Sequence, residues 1–166
     1  AGPGNWHENI EILFVTKGSG TIINNEEHLR VMAGDIVVIN SNCLHAISSV
    51  EDMHYYCLIV DRTFCTANYF DTNGIYFESP IKDAEISTLM HELAGEFACR
   101  ETNSYHVQLI RANVLRIMAV LCRKYSRCGQ VKRSESHLLS CVKQAIGYVH
   151  SESHRDLSLD DMASLV

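Results

Sequence analysis

Apolar and polar positions follow one rhythm through the first sixty residues and another after about residue 80. In the first part, short β-rich runs at 10–16, 20–24, 27–32, 36–39, 44–48 and 53–60 are separated by turn-forming residues. The breaks are Lys17-Gly18-Ser19-Gly20, Asn24-Asn25-Glu26, Ala33-Gly34-Asp35 and Asn40-Ser41-Asn42, where glycine and asparagine accept the left-handed backbone of tight turns. The loosely alternating run 27–32 reads as an edge strand, and the wholly apolar 36–39 as a strand covered on both faces. Short strands at this spacing predict an antiparallel sandwich or barrel.

From Pro80 the spacing becomes helical. Pro80 suits a helix start, with Ile81, Ile86, Leu89, Met90, Leu93 and Phe97 following on one stripe. From Tyr105 to Tyr125 the stripe Val107, Ile110, Val114, Ile117, Met118 and Leu121 is widened by Leu109, Leu115 and Val120. So broad a surface is satisfied by two partners, the barrel and a second subunit, or by packing wholly within one chain. Residues 126–136 are polar and read as a linker. A third helix is expected at about 137–151, with Leu138, Leu139, Val142, Ile146 and Val149 apolar. Ser158, with Asp161 three residues on, resembles a capping box ahead of Met162, Leu165 and Val166. That last apolar face stops half written, so a continuing chain is expected.

Composition narrows the class. Of 166 residues, 46% are hydrophobic and 20% charged, which is globular rather than disordered. No run approaches the ~20 apolar residues that span a bilayer, and no charged-then-apolar leader opens the sequence. The net charge of −6 supplies no basic face for DNA. Seven cysteines, at 43, 57, 65, 99, 122, 128 and 141, include no C-x-x-C pair and suit buried free thiols in a reducing cytoplasm.

The candidate chemistry is His7, Glu11 and His45. On a strand Glu11 shares a face with Leu13 and Val15, and His7 joins them if the extended backbone starts there. An inward carboxylate must be hydrated, hydrogen-bonded or paired, since leaving it bare costs several kcal/mol. Two imidazoles and a carboxylate either hold a divalent metal or hydrogen-bond a polar ligand. The alternative has Glu11 on a solvated edge and both histidines in loops. One of Tyr55 and Tyr56 must point inward, and Tyr55 is taken as that one. Trp6 either lines the pocket or packs on its rim.

Residues 7–18 resemble the first cupin motif through His7, Glu11 and Gly18. Residues 34–45 resemble the second, opened by Gly34 and closed by His45. The first histidine of the metal-binding version would fall at Asn5, and the motif's usual proline and glycine at Asn40 and Asn42. Over nearly the whole chain, WHENIEILFVTKGSGTI, MAGDIVVINSNCLHAI and the final CVKQAIGYVHSESHRDLSLDDMASLV are together similar to AraC-type bacterial transcription regulators.

The resemblance implies an α+β chain: a small cupin-like, jelly-roll type antiparallel β-barrel followed by an α-helical dimerisation segment. Residues 1–78 would be the effector-binding barrel and 79–128 the helical dimerisation segment. Residues 129–166 would be a linker and the incomplete start of a helix-turn-helix DNA-binding domain. It implies a cytoplasmic, non-enzymatic, homodimeric sensor that reaches DNA only through sequence beyond residue 166, without membrane contact. A sugar-like or other small polar effector would meet Trp6, His7, Glu11, His45 and Tyr55, with no required cofactor. The rival is a metal-dependent cupin enzyme, an isomerase or oxygenase, using His7, Glu11 and His45 as ligands.

Overall fold

A computed structural model describes residues 4–25, 27–49, 52–70, 75–128 and 137–164. The chain divides into one compact unit over residues 1–129 and another over 130–166.

In the first unit, two three-stranded antiparallel sheets carry the six expected strands. They are β1 (Ile10–Lys17), β2 (Ser19–Asn24), β3 (Glu27–Met32), β4 (Ile36–Ile39), β5 (His45–Ser48) and β6 (His54–Val60). One sheet has the order β4-β1-β6 and the other β3-β2-β5, so β3 does lie at an edge. No ladder joins the two sheets among the described residues, and the barrel is therefore open rather than closed.

Strand β1 is the centre of the first sheet and is buried on both faces from Ile10 to Val15. Its even positions, Ile12 and Phe14, join Ile36, Val38 and Val60 in a core completed by Ile86, Met90, Ile117 and Met118 from the helices. Its odd positions, Leu13 and Val15, join Ile22, Val31, Val37 and Ile39 in a second core between the sheets. The two-residue period thus sorts one strand into two cores and aims Glu11 between the sheets. All four residues of β4 are buried, as an apolar run covered on both faces requires.

The turns hold this register. Gly18 has φ 74°, and a Cβ there would lie 2.4 Å from the Asp52 carbonyl oxygen, so close approach demands glycine. Asn25 adopts φ 54°, and its side-chain oxygen accepts from the Leu44 amide at 2.9 Å.

After β6 come α1 (Arg62–Ala67), β7 (Ile75–Phe77), α2 (Ala84–Ala98), α3 (His106–Lys124) and β8 (Ser126–Cys128). Three expectations are corrected here. Pro80 does not start the second helix: Ile81 forms a bridge with Ile36, and Asp83 caps α2 by accepting from Ile86 at 3.0 Å. The polar stretch from 126 is not wholly linker, because Ser126–Cys128 pairs with β7; residues 129–136 lie outside the described residues. Cys57 and Cys99 are exposed rather than buried, although Cys43 and Cys65 are buried as expected.

Asp83 is also gripped by Lys124 and Tyr125, each at 2.9 Å, which ties the start of α2 to the end of α3. Burial of Asp83 opposes its charge, but the Ile86 amide, Lys124 and Tyr125 outweigh it and hold the carboxyl at about 2. Helix α3 buries Val114, Ile117, Met118, Val120 and Leu121 and leaves Val107 and Leu109 about half exposed, at 48% and 46%.

The second unit contains α4 (His137–Glu152) and α5 (Leu159–Ala163). The expected capping box is formed: Ser158 Oγ accepts from the Asp161 amide at 3.1 Å, and Asp161 accepts from the Ser158 amide at 3.0 Å. Leu165 and Val166 lie outside the described residues.

Asn40 joins the barrel to β7. Its amide donates to the Phe77 carbonyl at 3.2 Å and its oxygen accepts from the Phe77 N–H at 2.9 Å, in a buried setting. Replacing Asn40 with alanine leaves both main-chain groups unpaired and is expected to cost about 2–4 kcal/mol in urea unfolding. A change within about 0.5 kcal/mol would show that these bonds contribute little.

Candidate functional site

The site begins with the one charged side chain buried in β1. Glu11 pairs across the sheet with Ile39 on one side and Ile59 on the other, which fixes its carboxylate between the sheets. His7 arrives on the segment before β1, four residues back, and His45 begins β5 on the opposite sheet. The Asn5–His45 bridge, with main-chain hydrogen bonds of 2.7 and 2.9 Å, clamps the leading segment against β5. Asn42 N–H donates to the His7 carbonyl at 3.0 Å, so the loop before β5 steadies the same segment.

Both imidazoles converge on one oxygen. His7 Nε2 lies 3.0 Å and His45 Nε2 3.1 Å from Glu11 Oε2. Behind them, His7 Nδ1 lies 3.2 Å from the Asn9 carbonyl and His45 Nδ1 3.0 Å from the Cys43 carbonyl. A carbonyl only accepts, and so does a carboxylate, so a ring set between the two satisfies both only with a proton on each nitrogen, and a neutral ring gives its single proton to one of them. His45 Nε2 is buried, and the Glu11 carboxylate is the group that faces it. The other carboxylate oxygen, Oε1, receives the Cys57 thiol at 3.4 Å.

These contacts set the charges. Burial pushes the Glu11 carboxyl up, but His45 and His7, with a smaller contribution from Cys57, overcome it and hold the group at about 2. Burial pushes His45 down, yet the Glu11 carboxylate and the Cys43 carbonyl leave it above its usual 6.5. Cys57 is exposed as a residue while its sulfur turns in toward Glu11. Desolvation and the neighbouring carboxylate push that thiol up to about 12, so it stays neutral.

A cavity of about 440 Å³ opens over Glu11, lined by Asn5, Trp6, His7, Ile47, Tyr55, Cys57 and Ile59. Of the residues singled out from the sequence, Trp6, His7, Glu11 and Tyr55 line it together, and His45 stands behind Glu11 at 2% exposure. Tyr55 lies opposite Val15 and Cys57 opposite Leu13, on the face of Glu11, whereas Tyr56 packs at a tilt on Phe14 and edge-to-face on His91. Sequence reasoning missed Asn5 as a lining residue, and with it Ile47, Cys57 and Ile59. Two of them carry a readable signal, since Tyr55, Cys57 and Ile59 alternate along one face of β6.

The model of the AraC-like ligand binding domain family matches residues 2–115. The uncharacterised HTH-type transcriptional regulator YdeC of Bacillus subtilis is 38% identical over 97% of this chain and 60% of its own length. Two crystal structures of ToxT from Vibrio cholerae align with 96% of this chain and 62% of theirs. Their TM-scores are 0.52 and 0.53, at 12% and 11% identity, a likeness of fold alone. The chain therefore spans about 60% of the length of the relatives it matches.

The Glu11–His45 pair makes stability depend on pH in two windows. Glu11 is depressed from 4.5 to about 2, so its contribution is present above about pH 4.5 and fades as the pH falls toward 2. His45 is raised above 6.5, so its contribution is full below that pH and is lost as the pH climbs through the folded value. The urea midpoint is expected to peak between these windows. Glu11→Gln should flatten both flanks, and an unchanged profile would contradict the pairing.

Proposed function

The chain belongs to the AraC-like ligand binding domain family, and we propose that its cavity over Glu11 binds the small organic effector of a transcription regulator. The observation that carries this reading is a charged carboxylate at the floor of a cavity of ligand size, flanked by His7 and backed by His45. Glu11 and His7 would orient the effector, Trp6 and Tyr55 would wall it, and His45 would keep the carboxylate charged. A sugar, the class expected from the sequence, would meet Glu11 through its hydroxyls.

The output would lie in the longer protein. Residues 1–78 would sense, 79–128 would dimerise, and 129–166 would lead into a cytoplasmic DNA-binding domain. Exposed Phe97, Tyr105, Val107 and Leu109 on and between the two long helices support a homodimer. Effector binding would act by favouring one arrangement of the regulator over another.

The convergence of two imidazoles on one Glu11 oxygen favours a second occupant. The two Nε2 atoms and a Glu11 oxygen lie within 4.8 Å of one another, with each Nδ1–H tied to a main-chain carbonyl, a set that fits a divalent cation. Held there by His7, Glu11 and His45, the cation would supply a Lewis-acidic point to an effector oxygen or nitrogen.

In the full-length regulator, Glu11→Ala is expected to abolish the effector-dependent change in transcription while leaving basal DNA binding within about twofold. An unchanged response would remove the cavity from the mechanism. Sedimentation equilibrium of the purified chain is expected to read a dimer, with elemental analysis of the same sample reporting any bound metal. A monomer at all concentrations would refute the dimer, and stoichiometric metal that persists in His45→Ala would refute the proposed ligand set.

A further inference from the structure

We propose that the cavity selects an amphipathic amine, a molecule with one ammonium head and an apolar or aromatic body. This rests on the effector-pocket reading above and narrows the class of molecule that the pocket takes.

The floor dictates the head. Glu11 is the charged group that lines the cavity, and a carboxylate only accepts hydrogen bonds. Its two oxygens are unequally served. Oε2 has both imidazoles at 3.0 and 3.1 Å, while the hydrogen bond to Oε1 comes from a thiol, at 3.4 Å. A thiol is a weak donor, so Oε1 keeps most of its capacity for a stronger one. His7 offers the cavity no free donor, because its two nitrogens already face the Asn9 carbonyl and Glu11 Oε2. A ligand must therefore bring donors. An ammonium brings three, and charge makes each bond to the carboxylate stronger than a hydroxyl's. A ligand carboxylate would meet Glu11 as a like charge.

The walls dictate the body. Beyond the floor, the lining consists of Trp6, Ile47, Tyr55, Cys57 and Ile59, with Asn5 adding one amide. Above Glu11 the polar groups of the walls are the Tyr55 hydroxyl, the buried and unpaired Trp6 indole N–H and the Asn5 amide, fewer than a polyol's hydroxyls require, and each hydroxyl stripped of water without a partner weakens binding. One charged head on an apolar or aromatic body matches one charged floor under walls made mostly of aromatic and aliphatic side chains. The rings of Trp6 and Tyr55 add surface that attracts an organic cation. A metal ion by itself would leave most of the 440 Å³ without a partner.

The open side of the barrel explains why such a body can enter. Tyr55 and Ile59 lie on the inner face of β6, yet they are 39% and 51% exposed, and among the described residues no strand of the other sheet pairs with β6. Inner-face residues that would be core in a closed barrel are here the walls of an entrance.

Calorimetry of the 166-residue chain at neutral pH tests this with hexylamine, phenethylamine and tryptamine. Phenethyl alcohol, hydrocinnamate, glucose and zinc chloride serve as controls. At least one amine is expected to bind, about tenfold or more tighter than phenethyl alcohol, with no heat from hydrocinnamate or glucose. Glu11→Gln, which keeps the shape of the side chain, should weaken amine binding about tenfold. Ile59→Lys, at an exposed position and therefore harmless to folding, should weaken it similarly by placing a cation at the mouth. Binding of glucose or hydrocinnamate without the amines would overturn the amine class while leaving the effector pocket standing. Zinc binding without the amines would overturn it as well. Silence from every probe would overturn the amine class, and an intact effector response in full-length Glu11→Ala would then sink the pocket reading too. Amine binding unchanged in both variants would put the site elsewhere and overturn the inference.

Discussion

A carboxylate inside a β-structure core persists only where its charge is answered, and Glu11 is answered by imidazoles from two separate segments. His7 comes from the chain before β1 and His45 from the start of β5, so the interaction requires both sheets to be in register. The main chain enforces this. The Asn5–His45 bridge and the Asn42–His7 hydrogen bond hold the two segments, and the Cys43 and Asn9 carbonyls fix the two rings. A slip of one residue in β1 would turn Glu11 into the helix-side core and bring Ile10 or Ile12 into the cavity. The electrostatic pair and the hydrophobic sorting of β1 are therefore one constraint seen from two faces.

Much of this was legible in the sequence because it depends on local rules. Each of the six expected strands lies within one residue of an observed strand at both ends, since glycine and asparagine turns punctuate them and the alternation sorts their faces. His7, Glu11 and His45 could be singled out because a charged residue in an apolar strand needs partners. The rest depends on distant contacts. Pro80 looked like a helix start, but Ile81 is held in a bridge to Ile36, and the first competent cap is Asp83. Ser126–Cys128 looked like linker because three polar or small residues carry no periodic signal; they become a strand only beside β7. Asn40, where the cupin pattern has proline, has a purpose visible only once Phe77 is beside it.

The openness of the barrel was the least legible feature and matters most to function. Nothing in the spacing of Tyr55, Cys57 and Ile59 distinguishes a covered inner face from an uncovered one. With no ladder between the sheets among the described residues, these residues form cavity wall rather than core. On the proposed reading, the family's sensing role resides there: a charged floor at the centre of one sheet, beneath walls contributed by β6, β5 and the segment before β1. Elements carried by rigid strands hold ligand-orienting groups more accurately than loops do.

The claim on which the account turns is that both histidines present Nε2 to Glu11 with Nδ1 protonated. Nitrogen-15 NMR of the imidazole rings at neutral pH reads this directly. The account predicts a protonated Nδ1 in His7 and His45, and a His45 Nε2 signal that shifts when Glu11 is replaced by glutamine. A His45 ring with bare Nδ1 and shifts indifferent to that replacement would contradict it.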